Sequence, residues 1–134
     1  MEKIKVAVAG VGFIGPAHIE ALRRTPNIEV VAINHPVEDE VKQKAADLGI
    51  PNGYADFNEM LEKEDVKAVH ICTPNFLHYE MAKAALEKGL HVICEKPLAT
   101  KTEEAEELVE LAKKTGLVNA VHFNLRYYPL VRQM

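Results

Sequence analysis

Five apolar runs recur along the chain: "KIKVAVAG", "IEVVAIN", "VKAVHICT", "LHVICE" and "LVNAVHFN". They are rich in Val and Ile and too continuous for strands with one wet face. A strand that faces water alternates apolar with polar residues, whereas a strand covered on both faces does not. Helical patterns separate most of these runs. In 102–115, Ala105, Leu108, Val109 and Ala112 fall on one stripe, and Gly116 follows as a stop. In 75–88, Met81, Ala82 and Ala85 share a stripe with His78, with Asn75 as a cap and Gly89 as a stop. Pro36 is expected to open another helix and Gly49 to close it. The weaker stretch "PNGYADFNEMLEKED" allows a short strand near Tyr54, then a short helix capped by Asp56 with Glu59 three residues on. This alternation predicts an α/β fold with a doubly wound, mostly parallel sheet. Right-handed crossovers favour the strand order 3-2-1-4-5-6.

Length and composition fit a single domain of this kind. The chain has 134 residues, 48% of them hydrophobic and 27% charged. No apolar run approaches a bilayer span, and "MEKIKVAVAG" enters a strand without a signal-peptide layout. A cytoplasmic location and no membrane partner are expected. The net charge is −4 with no basic stripe, which gives nucleic acid no footprint. The segment "TEEAEELVELAKKTG" is acidic early and basic late, the order that suits a solvated helix. Cys72 and Cys94 each end an apolar run and form no C-x-x-C pair. They are expected to be reduced, buried side chains.

The first strand runs into "GVGFIG", in which Gly10, Gly12 and Gly15 make G-x-G-x-x-G. Alone the pattern is weak, but here it follows a strand, opens a helix and lies in a βαβ unit. Gly10 permits the tight turn, Gly12 lets the backbone approach a pyrophosphate, and Gly15 allows close helix–strand packing. The helix start supplies N–H groups and a positive dipole end. Pro16 removes an N–H where the loss is cheap. An acid is expected about twenty residues on, at the second strand's tip, to bind a ribose. That slot holds Asn34. An amide can bond a ribose hydroxyl but repels no 2′-phosphate. His35 could donate to a phosphate or be an exposed loop residue. NAD and NADP therefore both remain open.

The run "LHVICE", expected to be the fifth strand, continues into "KPLA". Glu and Lys are seldom fully buried, and Pro cannot donate to a strand ladder. Ligands of open α/β sheets lie beyond the carboxyl ends of the strands, so Glu95 and Lys96 would emerge at that edge. A lysine there could exchange a hydroxyl proton during hydride transfer. The alternative is a surface loop. Pro97 would aim the lysine, and a cis bond between Lys96 and Pro97 is expected at such a reversal.

"GVGFIG", "CTPNFLHYEMAKAALEKGLHVICEKPLA" and "FNLRYYP" together resemble the amino-terminal domain of the glucose-fructose oxidoreductase, inositol dehydrogenase and MocA superfamily. The resemblance covers essentially the whole chain and implies a Rossmann domain that binds NAD or NADP. It implies an NAD(P)-dependent oxidoreductase acting on a small molecule such as a sugar, a cyclitol or a related hydroxy or keto compound. By position, Gly10, Gly12, Phe13 and Ile14 would bind pyrophosphate, and Asn34 would take the ribose. Thr73, Pro74 and Asn75 would line the fourth strand's tip, with His78 at the adjoining helix start. Glu95 and Lys96 would meet the nicotinamide end, with Lys96 catalytic. Asn124 and Arg126 would stand near cofactor and substrate.

His78 could equally be a satisfied inward-facing histidine. His18, His70, His91 and His122 read as packing residues, and no metal is expected because none shows ligand spacing. The resemblance also implies a second α/β domain, through which the complete protein would form a homo-oligomer. On this reading residues 1–123 are the dinucleotide domain and 124–134 begin the connection. A fragment of this extent should bind cofactor without turning over substrate. The alternative function is a non-catalytic dinucleotide-binding or sensor module of the same fold.

Overall fold

A computed structural model describes residues 2–134. Six strands alternate with six helices: β1 (Ile4–Ala9), α1 (Gly15–Arg23), β2 (Ile28–Asn34), α2 (Glu38–Leu48), β3 (Asn52–Tyr54), α3 (Phe57–Lys63), β4 (Ala68–Ile71), α4 (His78–Glu87), β5 (His91–Glu95), α5 (Thr102–Thr115), β6 (Asn119–His122) and α6 (Pro129–Gln133). Short 3₁₀ turns at Asn75–Leu77 and Asn124–Tyr127 precede α4 and α6. The strands form one sheet in the order 3-2-1-4-5-6. Every pairing is parallel.

The unbroken apolar runs follow from burial on both faces. Val6 and Val8 of β1 pack with Ile19 and Leu22 of α1 and Val41 of α2. Ala7 and Ala9 of the same strand turn to the opposite core, built with Met60 of α3, Ala82 and Ala85 of α4 and Leu108 of α5. From Val6 to Ala9 neither face of β1 meets water, so no polar residue is needed to mark one.

The helix limits depart from expectation in two places. Pro36 does not open α2: Val37 occupies the N-cap position and the helix begins at Glu38. His35 Nδ1 accepts the Val37 N–H at 3.3 Å, which holds the preceding turn. Three acids, Glu38, Asp39 and Glu40, then fill the first turn, where the helix dipole favours carboxylates. Asn75 makes no side-chain cap, because the 3₁₀ turn intervenes and α4 starts at His78. Asp56 does cap α3, accepting the Glu59 N–H at 2.8 Å, and Gly49 closes α2 at φ +63°. On the α5 stripe only Leu108 is fully buried, and Val109 remains 43% exposed. That helix packs chiefly against α4, at the end of the sheet that β6 closes, where there is less sheet to cover.

Candidate dinucleotide site

The tips of β1, β2 and β4 border a cleft of about 710 Å³. Gly10–Ile14 form one wall, Asn34–Pro36 and Ala55–Phe57 the second, and Thr73, Pro74 and Met81 part of the third. The glycine turn is shaped by close approaches. Gly10 has φ +86°, and a Cβ there would stand 2.5 Å from the Cys72 carbonyl oxygen. A Cβ on Gly15 would stand 2.0 Å from the Gly10 carbonyl oxygen. The turn thus folds back onto the first residue of α1, and Gly15 serves that contact more than helix–strand packing. Gly12 differs, since a Cβ there would meet nothing within 4 Å. Its open side gives onto the cleft.

At the tip of β2, Asn34 is buried, and its Nδ2 donates to the carbonyl oxygens of Tyr54 (3.0 Å) and Ala55 (3.2 Å). His35, beside it, has Nε2 3.5 Å from the Glu40 carboxylate. Across the cleft, the Thr73 hydroxyl donates to the Met81 sulfur at 3.5 Å.

His78 lies under the β4 and β5 tips and is fully buried. Its Nδ1 is 2.6 Å from the Pro97 carbonyl oxygen, and its Nε2 is 2.9 Å from that of Thr73. A ring N–H on either side therefore has an acceptor. The side chain bridges the loops that carry Thr73 and Lys96. The Lys96–Pro97 bond is cis, and Lys96 is exposed at the end of β5.

Glu95 turns away from the cleft into a buried network. Its Oε1 accepts from His18 Nε2 on α1 (2.8 Å) and from His122 Nδ1 on β6 (2.5 Å). His18 and His70 meet through their Nδ1 atoms at 2.9 Å, so one carries the proton and the other accepts it. Burial pushes the Glu95 carboxyl up, but the bonds from His122 and His18 outweigh it and hold the group below its ordinary value. Burial, with His18 and His122 close by, lowers His70 to about 4. The ligand-type atoms of His18, Glu95 and His122 lie within 4.8 Å of one another. The two contacts on Oε1 are shorter than the separation of about 3.3 Å that two ligands of one tetrahedral ion keep at bond lengths near 2.0–2.1 Å. The cluster is hydrogen bonded as it stands.

The family described as "Oxidoreductase family, NAD-binding Rossmann fold" matches residues 4–123. The chain belongs to this oxidoreductase family. It is 34% identical over 126 residues to 4-carboxy-2-hydroxymuconate-6-semialdehyde dehydrogenase of Sphingobium, covering 94% of this chain and 40% of that enzyme. It is 35% identical to levoglucosan dehydrogenase of Pseudarthrobacter phenanthrenivorans, covering 98% of this chain and 36% of that one. Among solved structures, scyllo-inositol dehydrogenase of Lactobacillus casei, with bound NAD(H) and scyllo-inositol, aligns with a TM-score of 0.91 at 25% identity. That alignment covers 98% of this chain and 39% of the other. The chain thus spans about two fifths or less of the length of these relatives.

Of the residues singled out in the sequence, Gly10, Gly12, Phe13, Ile14, Asn34, His35, Thr73 and Pro74 meet around one cleft. Gly15 lies beneath it, packed on Gly10. Asn75 is exposed on the 3₁₀ turn, and Arg126 is exposed with its guanidinium 5.8 Å from the Tyr127 ring centre. Asn124 borders a separate groove with His18, His70 and His122, on the α1 side of the sheet. Sequence reasoning missed the wall at Ala55–Phe57, whose short strand carries little pattern. It also missed the cluster in which His18 and His122 bond Glu95 and His70 bonds His18. Each of these comes from a different element, so no local spacing announces the group.

Proposed function

We propose that this chain is the nucleotide-binding half of an NAD(P)-dependent oxidoreductase that moves hydride between nicotinamide and a sugar, cyclitol or related hydroxy or keto compound. The observation that carries the reading is the open side of Gly12 at the mouth of the cleft. A pyrophosphate there would meet the free N–H groups and positive dipole end of α1. Asn34 would take the adenosine ribose, and Thr73, Pro74 and Asn75 would run beside the nicotinamide half. Lys96, exposed at the β5 tip, is the group that would hold or release the proton of the reacting hydroxyl. Glu95 then acts through its network on the strand that carries Lys96. The relatives' names, dehydrogenases of levoglucosan and of inositols among them, support the substrate class.

In this reading residues 1–123 form the dinucleotide domain and 124–134 lead to a second domain, which would supply the substrate wall and a homo-oligomer contact. No helix among the described residues is long and apolar enough to cross a membrane, which agrees with a cytoplasmic enzyme. Holding a substrate against the nicotinamide can contribute on the order of 7–11 kcal/mol to lowering the barrier. The 134 residues should therefore bind cofactor without turnover. Calorimetry with NAD and NADP on the chain and on Gly12→Val tests the site. Binding that the variant loses supports it, and unchanged affinity places the ligand elsewhere. In a complete protein, Lys96→Ala should lower kcat far more than cofactor affinity.

A further inference from the structure

Taking the dinucleotide reading as its basis, we infer that Asn34 makes this site selective for NAD over NADP, although the residue is neutral. The selectivity comes from the direction in which its amide is locked.

Both partners of Asn34 Nδ2 are backbone carbonyl oxygens, at Tyr54 and Ala55. A carbonyl only accepts hydrogen bonds, so the nitrogen must face these two groups. Rotating the amide by half a turn would set three oxygens against one another. Both N–H groups are thereby spent on the β3–α3 connection. What remains is Oδ1, an acceptor. No buried, unpartnered side-chain oxygen exists among the described residues, and Asn34 lines the cleft. Oδ1 therefore keeps access to the ligand side. Toward the cofactor, Asn34 behaves as a carboxylate does, accepting from a ribose hydroxyl and offering nothing in return.

A 2′-hydroxyl can donate to that oxygen. A 2′-phosphate is largely dianionic near neutral pH and has no proton to give. It would place its charge against a lone pair. The surroundings offer it no compensation. His35 spends Nδ1 on the Val37 N–H, which leaves its proton on Nε2, facing Glu40. Glu38, Asp39 and Glu40 crowd the first turn of α2, and Asp56 lines the cleft on the other side. No lysine or arginine lines it among the described residues.

The test is calorimetric titration of the 134-residue chain with NAD and with NADP, with circular dichroism confirming that each variant is folded. NAD should bind more tightly, on the order of 30-fold, as expected when a hydrogen bond is exchanged for an unsatisfied acceptor. Asn34→Ser with His35→Arg removes the locked oxygen and adds a cation, and should bring the ratio to unity or invert it. Glu40→Gln, a milder change outside the cleft wall, should lower the ratio several-fold. Equal affinity of the unaltered chain for the two cofactors overturns the inference alone, as does a ratio that the double variant leaves unchanged. Binding of neither cofactor overturns the dinucleotide reading itself, and the selectivity with it.

Discussion

His18 Nε2 lies 2.8 Å from Glu95 Oε1. That bond ties α1, which carries the glycine turn, to the last residue of β5, next to Lys96. Glu95→Ala would leave the N–H groups of His18 and His122 unpaired in a largely buried place. The expected cost is about 2–4 kcal/mol, read from urea unfolding. Glu95→Gln keeps an acceptor oxygen and should cost roughly half as much. Because the side chain points away from the cleft, Glu95→Gln should leave NAD affinity within about threefold, less than 1 kcal/mol. A tenfold loss would show that the network reaches the cofactor.

Stability should fall in mild acid. His70 titrates at about 4 in the folded chain against an ordinary 6.5. Between those values the unfolded chain binds a proton that the folded chain does not, so stability drops as pH falls through this window. A shift of that size corresponds to about 3 kcal/mol. Glu95 acts in the same sense lower down, because its carboxyl is held below its ordinary value. Its contribution is present above the unfolded value and is lost as pH falls through the folded one. Thermal melts from pH 7 to 4 should show the decline, and His70→Gln, which cannot titrate, should flatten its upper part.

Two glycines five residues or fewer from each other should respond in opposite ways. Gly12→Ala adds a methyl where nothing lies within 4 Å, so Tm should stay near that of the unaltered chain while NAD affinity falls. Gly15→Ala drives a methyl to 2.0 Å from a backbone oxygen that cannot step aside. A loss of about 3 kcal/mol or more is expected there. Equal melting of the two variants would contradict the close contact between Gly10 and Gly15.

The two cysteines should be inert while the chain is folded. Burial, with Glu95 adding repulsion, raises both thiols to about 12. Neither Cys72 nor Cys94 should react with an alkylating reagent at pH 8 until denaturant is added, as mass spectrometry of the products would show.

The alternation of Val-rich runs with amphipathic stretches determined the parallel sheet and its order, because burial on both faces removes polar residues from a strand and leaves a mark in sequence alone. The glycine turn was legible for a similar reason: a positive φ at Gly10 and a contact five residues away at Gly15 are local demands that only glycine meets. The start of α2 was not legible, since the turn before it is held by a side chain, His35, whose rotamer the sequence does not reveal. Tertiary structure alone decided the partners of Glu95. Its neighbours lie 77 residues before it and 27 after it, on α1 and β6, and they meet only once the sheet has formed. It also decided the character of Asn34. The sequence shows a neutral amide with donors and an acceptor alike. The carbonyls of Tyr54 and Ala55, about twenty residues on, consume the donors and leave only the acceptor oxygen unspent. A side chain's chemistry toward a ligand is what its protein partners leave unspent, and those partners are set by the fold.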